Sequence, residues 1–545
     1  MSRSRSGGLI LALTLMVAAA FVTVGSGVAV ARTDSGAPAS RRRQAATTVT
    51  VALQDNVFKP KAITIQPGTT VKWVNKGRNL HNVVPNKGSQ FGTDSLPSGK
   101  SYSFTFKTPG VYGYYCSFHG APGSGMAGTI TVAGAATGST TPSSSTPAGV
   151  PTPSGKPRTI NVLAGSSIQA AVNQANPGDL VLVSPGVYKE AVTVTRPNIV
   201  IRGVDRNKTI LEGSFQLANG FLVTANGVAI ENMTARDYSG NGFYWTGVSG
   251  YRGSYLTAYR NGDYGIYAFN SANGVFEHSY ASGSPDSGFY IGQCNPCNAV
   301  INDVVSEYNQ LGYSGTNSST QLFIVNSRWD NNRAGIVPNT LDSEALPPQT
   351  NNVIAGNVIF NNQSTKAARS ETAEFDAAFG SGIAVVGGNA NIISKNLVLN
   401  HLRAGIVIAP NPGIQKNAYQ STGNKVTDNV VRGSGIADLA VLATPPTANN
   451  CFSGNKFKKS SPANIEQAAP CTGTGTGDFT TGAVDIAPFL DTSKNPPPTP
   501  YQQTPVPKSQ PNMRNPRTAK VVPATSDVVP GPLPDLTKVK TPTKQ

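Results

Sequence analysis

A two-residue signature, glycine followed by an aromatic residue or isoleucine, recurs through the middle of this chain at near-constant spacing. It stands at Gly242-Phe243, Gly265-Ile266, Gly288-Phe289, Gly312-Tyr313, Gly335-Ile336, Gly382-Ile383 and Gly405-Ile406, at intervals of 23, 23, 24, 23, 47 and 23 residues. A fixed period of this size means stacked units, none of which buries its apolar face alone. Between the pairs lie short β-prone runs, such as Gly382-Ile-Ala-Val-Val386 and Gly405-Ile-Val-Ile-Ala409, separated by Asn and Gly. No helix-length apolar period fits between them. The period predicts a right-handed parallel β-helix, each coil laid on the last with its Ile, Val and aromatic side chains inward. The 47-residue interval reads as two coils plus about one residue. Asp303, Asn326 and Asn396 each stand nine residues before a glycine pair, and a polar ladder is expected there.

A solenoid exposes apolar ends that must be covered. Ser166-Ser-Ile-Gln169 reads as a capping box, and Ile168, Ala171, Val172 and Ala175 share one helical face, so a short helix over 166–175 is placed across the first coil. Strands are predicted at 180–183, 191–194, 199–201 and 209–211. At the far end, segment 451–471 is the expected cap. The chain has five cysteines: Cys116, Cys294, Cys297, Cys451 and Cys471. With Cys116 set aside for reasons below, four remain, and in an exported chain they read as the disulfides Cys294–Cys297 and Cys451–Cys471. A metal or redox Cys-x-x-Cys site is the other reading of the first pair.

Upstream of the repeat, Tyr114 to Met126 reads Tyr-Tyr-Cys-Ser-Phe-His-Gly-Ala-Pro-Gly-Ser-Gly-Met, and His81 lies 35 residues before Cys116. Two imidazoles, a thiolate and a weak thioether are the donors of a mononuclear blue copper site. The soft thiolate suits Cu(I) and couples strongly to Cu(II), imidazole serves both, and a distant thioether allows a geometry between their preferences. The whole chain holds only 4 His and 5 Met, so a chance cluster of these types is improbable. The flanks alternate as strands do, at 71–75 and 101–106, and Pro109-Gly110 turns the chain into the strand that ends at Cys116.

With Val51-Ala-Leu53, Phe58-Lys-Pro60 and Ile65-Gln-Pro-Gly68 added, residues 47–133 resemble a small cupredoxin of the plastocyanin/azurin kind, a Greek-key β-sandwich. The resemblance implies that His81, Cys116, His119 and Met126 hold one type 1 copper per chain, and that Asn82 helps order the thiolate from outside the ligand set. Residues 158–472, through Ser167-Ile-Gln-Ala-Ala-Val172 and Gly178-Asp-Leu-Val-Leu-Val-Ser-Pro-Gly-Val-Tyr-Lys-Glu190, resemble the pectin-lyase-like β-helix proteins. Members of that superfamily are secreted sugar-binding proteins, polysaccharide lyases, hydrolases and epimerases. The fold class is therefore all-β, a sandwich followed by a solenoid.

The remaining segments set the compartment and the partners. Arg3 and Arg5, an apolar run from Leu9 to Val24, and Ala29-Val-Ala31 read as a cleaved signal over 1–31 rather than a transmembrane anchor. Residues 32–46 form a basic linker, 134–157 a flexible Gly/Ser/Thr/Pro linker, and 473–545 a disordered Pro/Thr/Lys-rich tail. The net charge of +16 comes from the residues before 134 and after 500, while 134–500 carry 23 basic and 23 acidic residues. For a secreted or envelope-associated protein, this basic balance fits an acidic redox protein partner, a polysaccharide or an anionic envelope polymer better than a nucleic acid.

No carboxylate pair in the repeat announces itself as catalytic. Asp342 and Glu344 are named as candidates for the solenoid groove, with Glu371, Glu374 and Asp376 in a following insertion. Arg236, Asp237, Asp263, Asp286, Arg328, Asp330 and Arg333 fall near turns. Tyr238, Phe243, Tyr244, Trp245, Tyr251, Tyr255, Tyr264 and Tyr267 are either sugar-stacking platforms or core and ladder. Two functions follow: a copper-binding electron-transfer or copper-carrying protein whose solenoid binds polysaccharide or protein, or a carbohydrate-active enzyme with an accessory copper domain. An envelope scaffold is a third.

Overall fold

The computed structural model describes residues 47–134, 156–370, 375–411, 417–442, 448–484 and 487–544, except Asp55, Arg78 and Ser89. The proposed signal and basic linker (1–46), all but the ends of the flexible linker (135–155), and Glu371 and Glu374 lie outside the described residues.

The first module is a two-sheet sandwich. Its strands are β1 (Thr48–Gln54), β2 (Val57–Lys59), β3 (Ala62–Ile65), β4 (Thr69–Asn75), β5 (His81–Pro85), β6 (Thr93–Leu96), β7 (Ser101–Phe106), β8 (Gly110–Ala121) and β9 (Ser124–Val132). One sheet runs β2-β1-β4-β7, the other β3-β9-β8-β5-β6. Alternation along β4 buries Val71 and Trp73 and leaves Lys72 outside. Trp73 is the centre of the core, stacked on Tyr102 at 5.5 Å and meeting Tyr114 edge-on at 5.5 Å. The second sheet carries Cys116 at the buried end of β8.

The second module is a parallel β-helix with sheets of 12, 10 and 11 strands. The glycine signature marks one strand position per coil: Phe243, Ile266, Phe289, Tyr313, Ile336, Ile383 and Ile406 are aligned in successive parallel pairs. Phe221 extends the row one coil earlier, its ring stacked on that of Phe243 at 5.8 Å. The 47-residue interval is one coil, not two, because Ile336 pairs directly with Ile383. Loops after Asn339 and after Phe360 supply the extra length. An insertion about one period long imitates a second coil in the spacing.

The polar ladders are buried asparagines, but not the expected set. In one ladder Asn357 Nδ2 donates to Asn396 at 3.0 Å, Asn396 to Asn429 at 2.9 Å, and Asn429 to Asn455 at 2.9 Å. Each of those side-chain oxygens also accepts the backbone N–H one coil before, which satisfies the turn in the absence of water. Only Asn396 of the three predicted positions joins it. Asp303 and Asn326 instead occupy exposed left-handed turns, at φ 54° and 50°, a conformation that Asx residues tolerate. A second ladder runs Asn309, Asn332, Asn362 and ends on His401, whose Nε2 lies 3.2 Å from Asn362 Nδ2.

The N-terminal cap is α1 (Ile168–Gln174), with Ile168, Ala171 and Val172 buried. Its N-cap is Ser167 rather than Ser166: Ser167 Oγ accepts from Ala170 N at 3.1 Å. The reciprocal partner is not Gln169 but Glu190 from the next coil, which accepts the N–H groups of Ile168 and Gln169. Cys294–Cys297 and Cys451–Cys471 are disulfide-bonded.

The expectation of a disordered tail is corrected. Its carbonyls at Pro516, Ala519 and Lys520 accept from Arg202, and Ala524 N donates to Gly227 O at 3.0 Å. Ala524, Val529 and Val539 are buried against the outer face of the solenoid. A proline-rich strand has no periodicity of its own, so order conferred by a neighbouring surface leaves no trace in its pattern.

Burial holds His401 down at about 3, below its unfolded value near 6.5. The group therefore contributes stability that is complete above pH ~6.5 and is lost as pH falls towards 3. His401→Asn, which continues the ladder, is expected to retain stability at pH 7.5 and to reduce its loss between pH 6 and 4. His401→Ala should cost about 1–3 kcal/mol by leaving one buried Asn362 Nδ2 hydrogen without its acceptor. Thermal melts across this pH range measure both.

Candidate metal centre

Three buried side chains converge at the end of the sandwich. His81 opens β5, while Cys116 and His119 lie on β8, in a stretch where its pairing with β9 is interrupted between Tyr115 and Gly120. That interruption frees the segment from the ladder and turns both donors to one point. His81 Nδ1 and His119 Nδ1 are 3.1 Å apart, and Cys116 Sγ lies 3.7 Å from the first and 3.5 Å from the second. Bonds of roughly 2.0 Å to nitrogen and 2.3 Å to sulfur would span those edges at angles of roughly 100–120°, ordinary values for a first-row metal. Met126 is fully buried in the same apolar cluster as Cys116 and Phe118.

Burial clears the two imidazoles of protons but not the thiol. Burial, and then the charge of His119, push His81 well below its ordinary value. Burial brings His119 to about 3, so both rings are neutral and offer lone pairs. Burial pushes the Cys116 thiol up to about 12, against the backbone N–H groups of Asn82, Phe118 and His119, which favour the thiolate. Asn82 braces the loop: its Nδ2 donates to Ser117 Oγ and its Oδ1 accepts from Ser117 N, both at 2.8 Å. The donors fit copper, and the thiolate explains why: a soft sulfur with two imidazoles is the set that selects it.

The solenoid meets this loop directly. Asn219 Nδ2 donates to Ser117 O at 2.9 Å and Asn241 Nδ2 to Phe118 O at 3.2 Å. A Cβ at Gly240 would come within 3.0 Å of the Phe118 ring, so the glycine admits it. His119 Nε2 faces the Asp263 carboxylate at 3.5 Å. Asp286 lies one coil on, its N–H donating to Asp263 O at 3.1 Å. Burial raises both carboxyls above the usual range, and the charge of Asp286 raises Asp263 further. His119, Asp263 and Asp286 line a cavity of about 640 Å³ between the modules.

Other sequence candidates lie elsewhere. Asp342 pins the loop at 417–419, accepting from Asn417 N and Nδ2 at 2.6 Å and from Tyr419 Oη at 2.7 Å. Glu344 is buried and accepts from Tyr290 Oη at 2.5 and 2.6 Å. Neither lines the cavity. Tyr238, Phe243, Trp245 and Tyr251 belong to the solenoid interior. Tyr244, Tyr264 and Tyr267 are buried with Tyr290 in a stack outside it. None of these seven rings is an open sugar platform. Asp263, which faces the metal ligand, and Asp286, which shares the cavity wall, carried a signal: each stands two positions before a glycine of the repeat.

Residues 45–133 match the description of copper binding proteins of the plastocyanin/azurin family, and residues 241–409 that of a right-handed β-helix region. Plastocyanin of Scenedesmus fuscus is 41% identical over 92 residues, covering 14% of this chain and 86% of that protein. Chloroplastic plastocyanin of Physcomitrium patens is 37% identical over 92 residues, covering 14% of this chain and 50% of that one. Among solved structures, a purple cupredoxin from Nitrosopumilus maritimus is 28% identical, covers 15% of this chain and 97% of its own, and has a TM-score of 0.14. A mannuronan C-5 epimerase A-module from Azotobacter vinelandii is 16% identical, covers 54% and 92%, and has a TM-score of 0.39. Through its first module the chain belongs to the plastocyanin/azurin family of copper-binding proteins, and that module is joined to a right-handed parallel β-helix.

Asn82→Ala removes both bonds to Ser117, one of them to a buried backbone N–H. Denaturant unfolding should show a loss of about 1–3 kcal/mol.

Proposed function

We propose that the chain is a one-electron carrier outside the cytoplasmic membrane, in which His81, Cys116, His119 and Met126 would hold one type 1 copper per chain. The observation that carries this reading is the convergence of two Nδ1 atoms and one Sγ within 3.7 Å of one another. Copper bound there would supply one-electron exchange between Cu(I) and Cu(II). The chain's own part is to keep the donors in place in both states. β5 and β8 fix His81 and Cys116, Asn82 ties the loop, and Asn219 and Asn241 hold its carbonyls from the solenoid. His81, Cys116 and Met126 are fully buried and His119 nearly so, which excludes water from the donors.

The sequence over 1–31 and the two disulfides support export to a secreted or envelope location. Among the described residues no helix is long and apolar enough to cross a membrane. The solenoid is read as a binding module for a polysaccharide, an anionic envelope polymer or a redox protein. The alternative, a carbohydrate-active solenoid, draws support from Asp263 and Asp286 in the cavity rather than from Asp342 and Glu344.

The copper-loaded full chain is expected to show an intense visible thiolate-to-Cu(II) band at one copper per chain by metal analysis. Cys116→Ala should abolish the band. Protein loaded with stoichiometric copper but showing no such band would refute the assignment.

A further inference from the structure

The ligands of the metal centre are enclosed, and the cavity between the modules is where the centre is reached. His119 is the one ligand that lines it. The ring edge of His119 is buried and faces Asp263 of the solenoid rather than open surface, so a flat protein partner has no face of the centre to dock on there. A volume of about 640 Å³ is the size of a small-molecule site.

The walls say which molecules fit. Phe118 and Tyr501 supply aromatic rings and Asp263 and Asp286 supply carboxylates one coil apart. Arg369, also in the wall, is paired with Asp376 at 3.2 Å, so its charge is already answered. Asp286 is half-buried in the wall, and its carboxyl is the acceptor placed for an O–H donor inside the cavity. Among the described lining residues no unpaired cation answers an anion such as a uronate, whose burial there is costly. Rings beside carboxylates accept a neutral aromatic that carries hydroxyl groups.

We propose that this cavity binds a small neutral hydroxyaromatic molecule of the hydroquinone or catechol class, its ring between Phe118 and Tyr501, its hydroxyl donating to Asp286, and its edge against His119. This rests on the proposed function, since contact with His119 is what would connect such a molecule to the metal centre. The ligand is selected by three parts of the chain at once, the sandwich, two successive coils and the tail.

The test uses the full chain, first without metal, with hydroquinone as the probe in calorimetric or ligand-observed NMR titrations. Saturable binding is expected, at least tenfold tighter than that of 4-hydroxybenzoate, which is anionic, and of galacturonic acid. Asp286→Asn should weaken hydroquinone at least fivefold and narrow its advantage over 4-hydroxybenzoate. Gln502→Trp, an exposed tail position at the cavity wall, should weaken it at least tenfold while leaving the thermal melt unchanged. Binding of galacturonic acid in preference to hydroquinone, or hydroquinone binding indifferent to both substitutions, overturns the proposal. In the copper-loaded chain, hydroquinone should perturb the visible band before any reduction. Absence of that band in copper-loaded protein defeats the copper reading alone, because the metal-free titration does not depend on it.

Discussion

Parallel pairing between successive coils is the constraint on which the rest of this structure depends. A coil of the solenoid has no partner within itself for its strand N–H and C=O groups. Each strand is satisfied only by the equivalent strand one coil away, in fixed register. The row from Phe221 to Ile406 shows how tightly that register is kept. Because side chains alternate between the two faces of a strand, a one-residue slip would turn the buried row outward. The turns obey the same logic. Inward asparagines bond the backbone of the coil before and the side chain of the coil after, so the turn amides they reach are paired without access to water.

The same register builds the surface on which the sandwich sits. Asn219 and Asn241 are one coil apart and linked by a 2.8 Å bond, and their free amide groups reach the carbonyls of Ser117 and Phe118. Asp263 and Asp286 continue down the next coils, and Asp263 meets His119. A regular repeat thus presents a line of polar groups at coil spacing, matched to a short irregular loop. The metal centre is a joint product: the sandwich provides the donors, and the solenoid covers the edge of the ligand that such a loop would otherwise offer to solvent.

Much of this was legible in the residues, for physical reasons. Cys116, His119 and Met126 lie on one hairpin, so their sequence spacing is nearly their spatial relation. The coil period reports directly on pairing, because every coil needs the same inward residues. The cap at α1 was readable from its apolar face, although its hydrogen-bonding partner was not, since Glu190 comes from a neighbouring coil. What failed were inferences about chain that depends on something distant. An insertion of about one period between Ile336 and Ile383 looked like an additional coil. A proline-rich tail looked disordered because its order is supplied by Arg202 and Gly227, some 300 residues away. Asp342 and Glu344 were named for the groove from residue type alone, and neither lines the cavity beside His119. Asp263 and Asp286 were visible only as polar residues near turns, and nothing in a one-dimensional pattern shows which coil faces another module.

The central claim is that the solenoid is part of the surroundings of the metal centre, not a separate body on a tether. It is tested most directly by the reduction potential of the copper-loaded full chain with Asp263→Asn, a substitution that keeps size and removes charge. Burial raises the Asp263 carboxyl, so the comparison is made at a pH high enough to ionise it, where its negative charge beside His119 favours the more highly charged oxidised state. The account predicts a more positive potential in the variant, with the visible band retained and the shift diminished at high salt. A potential and band indistinguishable from those of the unaltered chain would show that the carboxylate does not act on the centre, and would contradict the account.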